Sequence, residues 1–250
     1  MTPAKTGALS YQTAEIERYF REHRMSWDDF YESERKILSR IRLTPETSVL
    51  DIGCGCGGLG RALREKFGVR NYTGIEINAA AAATARQVQP EVTFLQADFL
   101  ALDTARLAPA YDVVISLSCI DWNTGFSLML PKAFGLVTPG GVFVLSLRLT
   151  DGATIDDLAR SYQFINYSGE NKGDQAAYVV LNARELLGTL TQLRPEHIDG
   201  YGYWGRPSST AVTPFERLCF TVLAVRKAKG NPPAAPTRQL ELPADLLATL

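Results

Sequence analysis

The amino-acid sequence predicts an α/β fold: a doubly wound, mostly parallel sheet whose last strand runs antiparallel, preceded by a helical cap. From residue 48 to about 148, short β-rich runs alternate with helical stretches, as they do where parallel strands are joined by crossover helices. The first run, Val49-Leu50-Asp51-Ile52, passes directly into a glycine-rich turn, Gly53-Cys54-Gly55-Cys56-Gly57-Gly58-Leu59-Gly60, and then into a helix. Near the C-terminus, two β-rich runs are separated by a loop too short for a helical crossover, so they form an antiparallel hairpin.

In chain order, strands are expected at Ser48 to Ile52, Asn71 to Glu76, Val92 to Gln96, Tyr111 to Leu117 and Gly141 to Leu147. Helices are expected at Leu59 to Phe67 and Gly125 to Leu136 from apolar residues at three- and four-residue spacing, and at Ala79 to Gln87 from its alanine content. Ahead of the core, Thr13 to Glu22 reads as helical. Ser26 to Ile41 reads as a second helix, opened by a Ser26-x-x-Asp29 cap and carrying Trp27, Phe30, Ile37, Leu38 and Ile41 on one side. A polar and aromatic segment, Asp151 to Gln175, follows the core, then a helix near Leu181 to Leu193 and strands at His197 to Trp204 and Glu216 to Arg226. Pro232, Pro233 and Pro236 mark a linker, and Leu240 to Leu250 is an apolar tail that frays, docks, or joins a second copy in a homodimer. The expected division is a helical cap at 1–44, the main domain at 45–228 and a linker with tail at 229–250.

The 250 residues carry a formal net charge of −1. No global positive field attracts a phosphate backbone, so nucleic acid is not an expected partner. The first 22 residues are polar, and no run approaches the ~18 apolar residues of a membrane span, so a cytoplasmic location without membrane partners is expected. Cys54, Cys56, Cys119 and Cys219 show no disulfide spacing and read as reduced thiols. A Cys-x-Cys pair can ligate zinc, but only His23 and His197 supply imidazoles and no second cysteine pair completes a tetrahedral site, so no metal is expected.

Gly53, Gly55 and Gly58 satisfy the G-x-G-x-x-G spacing of dinucleotide sites, with Glu76 about 20 residues on, where a ribose-binding acid belongs. A dinucleotide needs its pyrophosphate over the helix N-terminus, whereas S-adenosylmethionine brings a carboxylate, an ammonium, a sulfonium, a ribose and an adenine but no phosphate. Asp51, Glu76 and Asp98 fall at three successive strand ends, the edge where open α/β sheets bind ligands. Asp51 would also set negative charge beside a pyrophosphate.

These residues resemble the class I S-adenosylmethionine-dependent methyltransferases. The resemblance covers roughly residues 45 to 226, and takes in Val49 to Gly57, Glu76, Asp98, the strand Tyr111 to Ser116, the Thr138-Pro139-Gly140-Gly141 turn and the terminal hairpin. A weaker likeness, in Trp27 to Arg35, is to bacterial methyltransferases of sugar and surface-polysaccharide pathways. The resemblance implies a Rossmann-like sheet of seven strands and S-adenosylmethionine as cofactor. It implies Gly53 and Gly55 backbone against the methionine part, Glu76 on the ribose hydroxyls, Asp98 on the adenine amine and Phe99 beside the adenine ring. Asp51, Ile77 and Ser116 belong to the same expected crevice.

Methyl transfer is an in-line displacement that asks the protein mainly to align and desolvate a nucleophile. The segment Ser116 to Asn123 projects from the same edge and lacks the Asn- or Asp-Pro-Pro-aromatic motif of base-modifying amino-methyltransferases. Asp121 is the leading candidate base, or else caps a helix starting near Asn123; His197 is the second candidate, because imidazole titrates near neutrality. Trp122, Tyr162, Tyr203 and Trp204 are candidate acceptor-binding rings, able to stack on a sugar face or an aromatic, or simply to bury area. The expected reaction is methylation of a small polar acceptor at a hydroxyl of a sugar or related metabolite. The alternatives are an amine or natural-product acceptor, an NAD-dependent oxidoreductase on the same glycines, and a non-catalytic protein that only binds the cofactor.

Overall fold

The computed structural model describes residues 15–250. Two helices lead in, α1 (Glu15–His23) and α2 (Glu32–Arg40). The core then alternates β1 (Ser48–Ile52), α3 (Gly58–Phe67), β2 (Asn71–Glu76), α4 (Ala79–Val88), β3 (Thr93–Gln96), β4 (Tyr111–Ser116), α5 (Phe126–Gly135) and β5 (Val137–Thr150). After it come β6 (Tyr162–Ile165), β7 (Asp174–Ala177), β8 (Leu181–Asn182), α6 (Ala183–Gln192), β9 (His197–Gly205), β10 (Ala211–Val212), β11 (Leu218–Arg226), β12 (Thr237–Glu241) and α7 (Ala244–Leu247).

The main sheet runs β12-β9-β11-β5-β4-β1-β2-β3, with β8 pairing on β5. Strands β1 to β5 are parallel to one another, and β11 is antiparallel to both β5 and β9. The expected doubly wound sheet, with β11 as its antiparallel strand, is therefore present, but with nine strands rather than seven, because β12 adds beside β9 and the short β8 pairs on β5. The chain leaves β1 through β2 and β3, then returns to β4 on the other side, so a crevice opens at the carboxyl ends of β1 and β4.

Alternation along the strands explains why both faces are covered. Leu50, Ile52, Val114, Phe143 and Leu145 pack with α5 and α6 residues such as Leu130, Phe134, Leu186 and Leu190. Val49, Val113, Ile115, Val142 and Val144 pack on the other face against Ile37 and Leu38 of α2 and Leu59 and Leu63 of α3. Side chains one residue apart thus serve opposite layers.

Two elements differ from the sequence expectation, and a third, the tail, takes one of the courses expected of it. The single helix Ser26 to Ile41 is split: Asp29 Oδ2 accepts the N–H groups of Met25 and Ser26 around a short turn, Phe30 is extended, and Glu34 accepts the Tyr31 N–H to start α2. The segment Asp151 to Gln175 supplies strands of a separate three-stranded sheet, β10-β6-β7. The tail docks on its own chain, β12 pairing parallel with β9 and Leu246 fully buried. Among the described residues no helix is long and apolar enough to cross a membrane.

The lead-in lies directly on the glycine turn. A Cβ on Gly58 would stand 1.7 Å from the Arg24 carbonyl oxygen and 2.9 Å from Met25 Cα, so the backbones touch only because Gly58 has no side chain. Gly58→Ala is expected to push residues 24–25 off the turn and cost about 1–3 kcal/mol, the usual penalty of overpacking. A lowered melting temperature would verify it; an unchanged melting curve would refute the contact.

Candidate active site

The glycine turn begins where β1 ends. Gly53, Gly55 and Gly57 adopt φ of 80°, 54° and 80°, the left-handed region that side chains disfavour. The turn is tied to the next strand, since the N–H groups of Gly53 and Cys54 donate to the Ile75 carbonyl. A Cβ on Gly53 would meet Cys119 at 2.6 Å, and one on Gly55 would meet the Phe20 ring at 3.2 Å.

Glu76, at the end of β2, holds this turn from below. Its Oε2 accepts from Gly55 N at 2.8 Å and its Oε1 from Asn78 N at 2.8 Å. Burial pushes its carboxyl pKa up, while the N–H groups of Asn78, Gly55 and Ile77 pull it back. Asp98, at the end of β3, is half-buried and accepts from Leu100 N at 2.9 Å, while Phe99 beside it is buried. Lys132 fixes that loop by donating to the Leu100 and Leu102 carbonyls. Glu76, Ile77, Asp98 and Phe99 line one cavity together with Gly53 and Cys119.

A larger cavity, about 590 Å³, adjoins it. Ile16, Phe20, Gly53, Ser118 and Trp122 line both, so the two meet at the mouth of the glycine turn under α1. Ser118 sits there with φ of 49°, unusual for a residue with a side chain, and its N–H donates to Ser146 Oγ at 2.6 Å. Helix α1 is held over this junction by Cys56 Sγ donating to the Glu17 carbonyl and Thr84 Oγ1 donating to Glu17 Oε1 at 2.8 Å.

Three buried carboxylates, Asp51, Asp121 and Glu34, face the larger cavity. Asp51 accepts a hydrogen bond from the Tyr72 hydroxyl; burial pushes its pKa up to about 7, against the pull of that bond and with the Glu76 charge adding to the rise. Asp121 pairs with Arg148, Nη2 to Oδ2 at 3.2 Å, yet its Oδ1 is enclosed without a hydrogen-bond partner among the described residues. Burial lifts the Asp121 pKa to about 6, and the Arg148 charge holds it from rising further. Arg24 forms a two-pronged pair with Glu34 at 2.9 and 3.0 Å on the same wall.

A carboxyl whose pKa is higher in the folded chain than in the unfolded one favours folding below its unfolded value and loses that contribution as pH rises through its folded value. For Asp51 the window runs from about pH 4 to about pH 7. Without ligand, Asp51→Asn is expected to be more stable than the parent at pH 8, by on the order of 1–3 kcal/mol, with the gap closing below about pH 5. Thermal unfolding at the two pH values tests this; a variant equally destabilised at both would contradict it.

Asp51, Gly53, Asp121, Trp122 and Tyr203 line the larger cavity, and Glu76, Ile77, Asp98 and Phe99 the smaller, with Gly55 in the turn between them. Other sequence candidates lie elsewhere. His197 pairs with Arg226, which in turn pairs with Val142, so it stands at the edge of the sheet opposite the crevice, where its Nδ1 meets Thr237 Oγ1 at 2.7 Å. Trp204 points to the other face from Tyr203, its Nε1 donating to Asp245 at 2.8 Å. Ser116 is fully buried and lines neither cavity. Tyr162 lines neither cavity, and its ring meets edge-on that of Phe164, which lines the larger. Asp121 caps no helix, since α5 starts after Gly125. Arg148, the Arg24–Glu34 pair, Tyr178 and Phe20 were not among the sequence candidates.

The residues present fit S-adenosylmethionine. Glycines leave backbone bare at the turn, a buried acid stands at the end of β2, and an acid and a buried ring stand at the end of β3. Among the described residues no cluster of His, Cys, Asp or Glu could hold a metal ion. Residues 50–143 match the family described as "Methyltransferase domain". Residues 50–143 are thus similar to a methyltransferase domain, and the residues around the glycine turn fit S-adenosylmethionine as its cofactor.

Curated relatives include trans-aconitate 2-methyltransferase of Delftia acidovorans, 30% identical over 112 residues, which are 45% of this chain and 42% of the relative. The Escherichia coli enzyme of the same name is 26% identical over 112 residues, 45% of this chain and 43% of its own. The chain thus spans less than half the length of these relatives. Among solved structures, an S-adenosylmethionine-dependent methyltransferase from Methanosarcina mazei superposes with a TM-score of 0.60 at 18% identity, covering 80% of this chain and 99% of that one. Phosphoethanolamine N-methyltransferase 2 of Haemonchus contortus, in complex with S-adenosyl-L-methionine, gives 0.58 at 16% identity, with 86% and 56% covered. At these identities the superpositions show the shared fold.

Proposed function

We propose that this protein transfers the methyl group of S-adenosylmethionine to a hydroxyl of a small polar acceptor, a sugar or related metabolite. The observation that carries the reading is Asp121: a carboxylate on the wall of the larger cavity whose Oδ1 is enclosed and has no hydrogen-bond partner. Buried polar atoms are almost always satisfied, and one left over in a site marks where a ligand completes the set.

The cofactor supplies an electrophilic methyl carried on a sulfonium. Asp51 and the backbone around Gly53 and Gly55 hold the amino-acid part, Glu76 the ribose and Asp98 the adenine. At the junction near Gly53, Ser118 and Trp122 the acceptor oxygen would be presented to the methyl carbon, forming its O–C bond as the sulfonium gives up that carbon, with Asp121 Oδ1 placed to take the hydroxyl proton. Phe20 and Trp122 exclude water from that point, which lowers the cost of desolvating the nucleophile.

A polyanionic acceptor such as the one named in the curated relatives would call for free buried cations. Both buried guanidiniums on the wall, Arg24 and Arg148, are already paired with Glu34 and Asp121. The pairing of the buried guanidiniums favours an uncharged acceptor, while Arg206 lines the same cavity from an exposed position. Incubation with methyl-labelled cofactor and a panel of sugars, phenols, amines and carboxylic acids tests the reading: label should enter hydroxyl acceptors and be released as methyl ether. Label only in esters or amines would overturn it.

A further inference from the structure

The proposed proton transfer leaves Arg148, a buried cation on the cavity wall beside Asp121, without a task of its own. Arg148, near the end of β5, is 4% exposed. Its Nε donates to the Val179 carbonyl at 3.2 Å, and Nη2 donates to the Asp121 carbonyl while pairing with Asp121 Oδ2. The guanidinium carbon lies 3.7 Å from the centroid of the Tyr178 ring and 4.5 Å from that of Trp122, so the side chain cannot swing away. None of these contacts to Val179 and Asp121 uses Nη1.

A guanidinium has five N–H groups in a fixed plane, and burying any of them unpaired is costly. Arg148 commits none of its Nη1 donors to Val179 or Asp121, and its partner Asp121 leaves the acceptor Oδ1 uncommitted. Both residues line the same cavity. One donor and one acceptor, fixed side by side in a single ion pair, complement a ligand that presents a hydroxyl and a second oxygen on neighbouring atoms.

We propose that Arg148 is an acceptor-positioning residue that selects acceptors with two vicinal oxygens. The hydroxyl to be methylated faces Asp121 Oδ1 and the neighbouring oxygen accepts from Arg148 Nη1. This rests on the methyl transfer proposed above. A neutralising role alone would need only the contact to Oδ2. A positioning role also needs the planar fork, which lysine, a point charge, lacks.

Vicinal oxygens occur on flat rings and on puckered ones, so the test has two arms: labelled methyl transfer to catechol against phenol, and to cis-1,2-cyclohexanediol against cyclohexanol. The expected result is that at least one diol exceeds its mono-ol about tenfold in kcat/KM. Arg148→Lys should erase that preference by raising the diol KM about tenfold, with the affinity for S-adenosylhomocysteine unchanged. The arm that shows the preference identifies the ring type. Equal use of diol and mono-ol, transfer to neither diol, or a preference that survives in Arg148→Lys would each overturn the inference. If Arg148→Lys fails to fold, the comparison on the parent protein still decides it. The underlying reading fails separately, when S-adenosylhomocysteine does not bind.

Discussion

Replacing Glu76 with alanine is expected to weaken S-adenosylhomocysteine binding by about 100-fold, while Glu76→Gln weakens it by about tenfold. Hydrogen bonds to a charged group contribute about 1.5–3 kcal/mol each, and a carboxylate taking both ribose hydroxyls makes two of them. Alanine removes those and also abandons the Gly55 and Asn78 N–H groups that Glu76 now satisfies. The turn then loses the support that keeps its backbone in place beneath the cofactor. Glutamine keeps one carbonyl oxygen for Gly55 and gives up the charge. Calorimetric titration of both variants, with melting curves recorded alongside, separates the two roles. If glutamine restores full affinity, Glu76 only braces the turn and the ribose assignment is wrong.

The second large effect is expected for Asp121→Asn, a fall in kcat of about 10²- to 10⁴-fold with cofactor affinity retained. Asparagine preserves shape and leaves Arg148 in place but cannot take a proton. The parent enzyme should show kcat/KM rising with pH through about 6, because Asp121 must be ionised to act as base and burial raises its pKa to that value. The groups that act on it are Arg148, which favours the ionised form, and Glu34, which opposes it. The limb should vanish in the variant. A variant with near-parental kcat, or a parent whose rate is flat between pH 5 and 8, would remove Asp121 from the chemistry.

Much of this was legible in the sequence because it is local. A strand that ends in an acid and a glycine turn has one good solution, and Glu76 and Asp98 sit at strand ends whose direction the crossover helices fix. What was not legible depends on pairings far apart in the chain. Arg148 closes an otherwise apolar strand, and only the adjacency of β4 and β5 brings it to Asp121. His197 was chosen for its chemistry, but β9 runs parallel to β5, so its first residue emerges at the wrong edge. Trp204 and Tyr203 are sequence neighbours on a strand, hence on opposite faces. The short polar strands β6 and β7 carry little periodicity, yet Gln163 and Phe164 of β6 line the larger cavity. The proline segment reads as a linker, and the strand β12 that directly follows it is not legible because its pairing with β9 is non-local.

The central claim is that the glycine turn holds a phosphate-free sulfonium cofactor rather than a dinucleotide. Isothermal titration of the parent protein with S-adenosylhomocysteine and, separately, with NADH tests it most directly. The expected result is one site for S-adenosylhomocysteine in the micromolar range, about −8 kcal/mol, and no heat with NADH. Saturable heat with NADH, or none with S-adenosylhomocysteine, would contradict it.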